Sequence, residues 1–255
     1  MLIYILYSGK ASGILDTEKK TANVRGTVHH LDPGLEVLPG DSIWVGGDSY
    51  VVKNPGPYDF ATATKRVTQI IQPWDAGVIM SYLSIRPGFR VLESGTGSGS
   101  LSYQILRIVG ETGSLTSVEI NSSYIKMARE NVSRLVPSAL MKVWTTLEGD
   151  ISEFQSEEKY DACVLDIPEP WAALKSVSNV LKTGAMLCFY CPTFNQTERT
   201  VNALDTYGLF FMDSFEILSR RMLVRNNATR PDNDVIGHTA FLSFAMKLSG
   251  LSAKA

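Results

Sequence analysis

The chain predicts an α/β fold: a mostly parallel, Rossmann-like sheet with an antiparallel terminal hairpin, preceded by a small all-β unit. Three observations carry that prediction. From about Thr64 onward, short apolar strand patterns alternate with helical ones, the signature of strand and helix layers winding around one sheet. A glycine-rich turn, Ser94-Gly95-Thr96-Gly97-Ser98-Gly99-Ser100, joins a buried-strand pattern to a helical one. The first sixty or so residues instead show short strand patterns and turn signals with no helical period. Residues 1–60 are therefore expected to form a β domain and residues 61–255 the larger domain.

In chain order, Leu2 to Leu6 and Val24 to His29 read as strands, and Ser42 to Lys53 as a hairpin turning through Gly46-Gly47-Asp48. Asn54-Pro55-Gly56-Pro57 breaks the pattern and marks a boundary. Asp75 is expected to cap a helix reaching Ser84. A strand at Arg90 to Glu93, a helix at Leu101 to Val109 and a strand at Ser114 to Val118 then form a strand–helix–strand unit. Asn121 caps a helix whose Ile125, Ala128, Val132 and Leu135 make an apolar stripe, and a strand follows at Lys142 to Thr146. The near-continuous apolar run from Asp161 to Asp166 suits a parallel strand covered on both faces. Helices at Trp171 to Leu181 and Gln196 to Tyr207, ending in or near Gly184 and Gly208, flank a strand at Ala185 to Cys191. Leu209 to Leu218 and Thr239 to Lys247 close the chain as the antiparallel hairpin, joined by an arginine-rich connection.

Composition excludes several functions. A chain of 255 residues with 44% hydrophobic and 20% charged content builds a sizeable core. Lys plus Arg number 24 against 26 Asp plus Glu, a net charge of −2, so nucleic acid would have to be held by a local patch or by several subunits together. No apolar run reaches membrane-spanning length and Met1 to Leu6 is too short for a signal-peptide core, which leads us to expect a cytoplasmic protein with no membrane partner. Cys188-Phe189-Tyr190-Cys191 spells C-x-x-C within a strand, where positions three apart face opposite sides. Packing is therefore the expected role, and no metal is expected.

The chemistry concentrates at predicted strand ends. Gly95, Gly97 and Gly99 let the backbone turn tightly beside a ligand, and Ser98 and Ser100 lead into a helix N-terminus. Glu119, closing the second strand, is placed to accept hydrogen bonds from ribose hydroxyls. The glycines run G-x-G-x-G with Glu93 two positions before them; that carboxylate would repel a diphosphate and suits an ammonium, which favours S-adenosylmethionine over a dinucleotide. Asp150 is placed for an adenine amino group, with Ile120 and Ile151 over the ring faces. Asp166 is held by the stiff Ile167-Pro168-Glu169-Pro170-Trp171 segment at the sheet edge. Each carboxylate alone could be a solvated turn residue; four at strand ends form a constellation.

Ile70-Ile71-Gln72-Pro73-Trp74-Asp75-Ala76, the glycine turn, Asp166-Ile167-Pro168-Glu169-Pro170-Trp171 and Gly237-His238-Thr239-Ala240-Phe241-Leu242 resemble the tRNA adenine-58 N1-methyltransferase family (TrmI type) over nearly the whole chain. The resemblance implies a class I methyltransferase sheet, tRNA as partner, S-adenosyl-L-homocysteine as product and a homotetramer. It also implies that Asp166 is catalytic and that Glu119 and Asp150 hold the ribose and adenine of S-adenosylmethionine. One departure stands out: Gln72 occupies a position where the family usually has tyrosine, and Trp74 is either a substitute stacking surface or a core residue. Tyr190 is a candidate wall for the target base or a core residue, and His238 either contacts substrate or ties a loop. Arg221, with Arg220, Arg225, Arg230, Lys65 and Arg66, is a candidate tRNA contact or part of a solvated surface. Two other readings stay open: a methyltransferase for a protein or small molecule, and a non-catalytic tRNA-binding paralogue.

Overall fold

The computed structural model describes residues 3–9, 11–65 and 69–250. Leu2 and Arg66, both named above, lie outside them. Six antiparallel strands open the chain: β1 (Ile3–Tyr7), β2 (Ser12–Asp16), β3 (Thr21–Val24), β4 (Thr27–His30), β5 (Ser42–Val45) and β6 (Asp48–Lys53), ordered β4-β3-β2-β1-β6-β5. The single strand expected from Val24 to His29 is two strands. Arg25 and Gly26 both take positive φ, 52° and 81°, reversing the chain in a two-residue turn whose twist matches the flanking strands. The same physics shortens the next hairpin: Gly46 and Gly47 make the whole turn, and Asp48 already pairs with Val45.

A short helix α1 (Phe60–Ala63) and helix α2 (Pro73–Tyr82) lead into the second layer. Ile3 and Ile5 share one core with Phe60, Ile79 and Tyr103, and the Tyr103 hydroxyl donates to the Pro55 carbonyl at 3.1 Å, so both sheets are cemented together. Asp75 does not cap α2. Pro73, whose fixed φ suits the first helical position, starts the helix earlier, leaving Gln72 at the cap and Asp75 fully buried in the first turn.

The main sheet comprises β7 (Arg90–Ser94), β8 (Ser114–Glu119), β9 (Trp144–Glu148), β10 (Tyr160–Leu165), β11 (Leu181–Cys191), β12 (Leu209–Phe215) and β15 (Phe241–Lys247), with the small hairpin β13 (Met222–Leu223) and β14 (Arg230–Pro231) between the last two. Helices α3 (Ser100–Val109), α4 (Ser122–Ser133), α5 (Ser138–Lys142), α6 (Pro170–Val180) and α7 (Phe194–Ala203) connect them. Strand order is β12-β15-β11-β10-β7-β8-β9, parallel from β11 through β9, with β15 antiparallel to both neighbours. The chain winds outward from β7 in one direction and resumes at β10 on the other side. The crevice between the carboxyl ends of β7 and β10 is therefore the switch point where such sheets bind ligands.

Several boundaries differ from expectation: α7 ends at Ala203 rather than Tyr207, and β12 at Phe215 rather than Leu218. Residues to Lys142 form α5, so β9 starts at Trp144. Gly184 does not end a helix; at φ +78° it lies inside β11, where the partner of Tyr160 is Leu181 but that of Ala162 is Met186, an irregularity needing a residue free to take positive φ. Cys188 packs into the core beneath α2 and α3, Cys191 into that beneath α6, and both thiols are free, as opposite-facing packing residues should be. Among the described residues no His, Cys, Asp and Glu group could hold a metal ion, and no helix is long and apolar enough to cross a membrane.

Candidate functional site

The glycine turn rises from the end of β7, and each glycine answers a different contact. Gly95 takes φ +89°, and a Cβ there would lie 1.9 Å from the Asp166 carbonyl oxygen. That closeness joins the two strand ends, because the Asp166 N–H donates to the Ser94 carbonyl at 2.9 Å and the Gly95 N–H to that of Val118 at 3.2 Å. Gly97, at φ +51°, donates its N–H to the Glu119 carboxylate at 3.2 Å. Gly99, at φ +86°, would push a Cβ to 2.9 Å from Val132 Cγ2, so it permits close packing of α3 on α4. Ser98 and Ser100 are buried beneath the turn, the Ser98 carbonyl accepting from Asn131 at 3.0 Å.

Beside this turn opens a cavity of about 630 Å³. Gly95, Gly97, Glu119, Ile120, Asp150, Ile151 and Asp166, predicted from four separate strand ends, all line it. Its size is that of ordinary cofactor sites. The Glu119 carboxylate also accepts from the Asn121 N–H at 3.0 Å, which fixes it at the rim of the turn. Asp150 uses Oδ1 to accept from the Ser152 N–H at 2.8 Å, pinning the loop that carries Ile151. An acidic rim with apolar Val118, Ile120 and Ile151 along the wall suits a cationic adenosine compound and disfavours a diphosphate.

Sequence reasoning missed Gln69, Tyr124 and Gln196 in the lining. Tyr124 sits in the first turn of α4, off its apolar stripe and just after Glu119, which was the available signal. Gln196 was signalled by its capping box with Thr193; its Nε2 also donates to the Pro168 carbonyl at 3.0 Å, holding the Asp166–Glu169 segment over the cavity.

Burial and the negative charge of Glu119 push the Asp166 carboxyl up to about 7. Glu93, expected to face the ligand, does not line the cavity. It is 1% exposed and turned toward α3 and β8, accepting from Ser102 Oγ at 2.6 Å and Ser117 Oγ at 2.5 Å, while Trp144 Nε1 donates to Ser117 at 2.8 Å. Burial lifts its carboxyl from 4.5 to about 7 against the pull of those two hydroxyls. A carboxyl raised in the folded state stabilises fully below its unfolded pKa and loses that contribution as pH climbs to the folded value. The window runs from about 4.5 to 7 and is worth about 3 kcal/mol. The unfolding free energy of Glu93→Gln minus that of the wild type, measured by urea denaturation, should rise by this order between pH 4.5 and 8. A flat difference would show that Glu93 titrates normally.

The remaining candidates lie outside the cavity lining. Tyr190 is 7% exposed in the core, its hydroxyl donating to Asp75 at 2.9 Å. Gln72 caps α2 and donates only weakly, to the Ile70 carbonyl at 3.4 Å. His238 bridges Glu216 at 2.9 Å and the Pro192 carbonyl at 2.7 Å, tying the β12–β15 arm to the end of β11; these acceptors raise its pKa. Arg221 is exposed on that arm with Arg220, Arg225 and Arg230.

Comparison with known proteins places this geometry. The tRNA (adenine(58)-N(1))-methyltransferase TrmI of Thermus thermophilus is 32% identical over 220 residues, covering 86% of this chain and 85% of that protein. A crystal structure of tRNA (m1A58) methyltransferase TrmI from Aquifex aeolicus superposes with a TM-score of 0.80 at 26% identity, covering 97% of each chain. One from Thermotoga maritima, described as a SAM-dependent O-methyltransferase, gives 0.86 at 28% identity, covering 98% of this chain and 94% of that one. The sequence profile of the tRNA methyltransferase complex GCD14 subunit family matches residues 49–232. With that match spanning well over half of its length, the chain belongs to this tRNA methyltransferase family.

Proposed function

We infer that the protein transfers a methyl group from S-adenosylmethionine to N1 of an adenine in tRNA, at position 58 of the T-loop. The observation that carries the reading is Asp166, at the switch point of a class I methyltransferase sheet, across one cavity from Glu119. The fold and the family both imply S-adenosylmethionine as methyl donor; when bound, it supplies an electrophilic methyl on a sulfonium. Glu119 is read as the ribose acceptor and Asp150 as the acceptor for the adenine amino group. Ile120 and Ile151 cover the ring, with Gly95 and Gly97 leaving room for the chain of the molecule.

Adenine N1 carries an in-plane lone pair and no proton, so forming the new N–C bond requires no base. The product is a cation. Asp166, accepting a hydrogen bond from the neighbouring N6 amino group, orients the ring, raises the electron density at N1 and neutralises the charge as it develops. N1 lies on the pairing edge, so the base must leave its stack or pair to reach the cavity.

We further propose a cytoplasmic homotetramer with a β domain at residues 1–60 and the methyltransferase domain at 61–255, Arg221 contacting tRNA, and Gln72, Tyr190 and His238 shaping the approach to the site. The Thermotoga structure supports a second reading, in which Asp166 takes the proton of a hydroxyl acceptor. Incubating the purified protein with labelled S-adenosylmethionine and either transcribed tRNA or bulk protein, then digesting and mapping by mass spectrometry, separates the two. 1-Methyladenosine in tRNA supports the first; label in protein alone overturns it. Glu119→Ala should weaken S-adenosylmethionine binding roughly 100-fold through loss of two charge-assisted hydrogen bonds. Unchanged affinity in calorimetry would remove the ribose assignment.

A further inference from the structure

A second cavity, of about 480 Å³, lies between the first turn of α2 and the arm joining β12 to β15. It brings together Trp74 and Arg221, which are far apart in sequence, and its lining also holds Asp234 and the apolar Val235 and Ile236. Three features show what it would take. The Trp74 indole Nε1–H is buried without an acceptor, so packing alone holds the ring, whereas buried indoles usually find a partner. Arg221 and Asp234 line the same space yet form no ion pair, and among the described residues neither side chain is engaged elsewhere. With Asp232 also present, carboxylates outnumber the guanidinium, which disfavours a bare phosphate. An aromatic ring, an unengaged guanidinium donor and a carboxylate acceptor together match a flat ring that carries both acceptors and N–H donors.

Short chain segments link the two cavities. Gln69 lines the first and Trp74, a few residues on, the second. On the other side Pro192 lines the first, and its carbonyl is bonded at 2.7 Å by His238, which closely follows Ile236 of the second. We propose that the second cavity receives an unpaired nucleobase of the tRNA adjacent to the methylated adenine, stacked on Trp74, with its donor edge toward Asp234 and its acceptor edge toward Arg221. This rests on the tRNA reading above and adds a base-binding subsite to it. It also gives Trp74 a stacking role beside Gln72, where an aromatic ring is missing.

The test is a kinetic cycle with transcribed tRNA. Trp74→Leu should raise the KM for tRNA roughly tenfold, with kcat and S-adenosylmethionine affinity within about twofold of the wild type, and Trp74→Phe should restore most of the loss. A tRNA assembled with an abasic residue on either side of the target adenine should cost the wild type a similar factor on one side, and should cost Trp74→Leu nothing further. A merely structural tryptophan would make the two losses multiply. Asp234→Ala, at an exposed position, should show the same non-additivity. An unchanged KM in both variants, or multiplying losses, overturns the subsite while leaving the methyltransferase reading intact. Failure of the unaltered protein to methylate tRNA overturns both.

Discussion

Asp166→Ala is expected to lower kcat about 1000-fold while leaving S-adenosylmethionine affinity within about threefold of the wild type. The two readouts separate because the residue's proposed work begins only when the adenine arrives: its carboxylate charge matters most as positive charge appears on the ring. Asp166→Asn retains a hydrogen-bond acceptor for N6 but no charge, so it should fall between wild type and alanine. The pH dependence adds an independent check. With the carboxyl raised to about 7 by burial and by Glu119, only the ionised form counters the developing cation. The wild-type kcat/KM should therefore drop about tenfold per pH unit below 7. Asp166→Asn should lose that limb, since no group at 166 is left to titrate. Single-turnover methylation across pH 5.5 to 8.5, beside calorimetry of the cofactor, measures both. Normal affinity with undiminished turnover in Asp166→Ala would take this residue out of the mechanism.

How much was legible in the sequence followed from which physics acts locally. In a parallel sheet the residue after each apolar run lies at the ligand end, so chain position alone brought Glu119, Asp150 and Asp166 to one cavity. The same rule failed for Glu93. A strand covered on both faces shows no polar alternation, and nothing in the string tells which side its penultimate residue faces; here it is toward Ser102 and Ser117. The reversal at Arg25-Gly26 was missed because an arginine at positive φ leaves no compositional trace, whereas Gly46-Gly47 was legible and only its span was read one residue too long. Tyr190 with Asp75, and Trp74 with Arg221, are pairings across more than a hundred residues, fixed by how α2 lies over the end of β11 and beneath the arm. No local pattern encodes those.

Gly95→Ala is expected to destabilise the protein by about 3 kcal/mol or more and to abolish cofactor binding. Two costs add. An L-residue at φ +89° is strained by about 1–2 kcal/mol. The new Cβ would also stand 1.9 Å from the Asp166 carbonyl oxygen, a backbone atom that no rotamer change can move. Relief requires β7 and β10 to part at their carboxyl ends, which breaks the Asp166 N–H to Ser94 bond and displaces both the catalytic candidate and the turn carrying Gly97. Gly149 provides the control: it lines the same cavity, its φ is not positive, and a Cβ there meets nothing within 4 Å. Gly149→Ala should therefore stay within about 1 kcal/mol of the wild type. Urea denaturation of both variants, read as midpoint and slope, decides the matter. A Gly95→Ala protein as stable as the Gly149→Ala one would mean that the two strand ends are not locked together by that contact, and that Asp166 is positioned by something else.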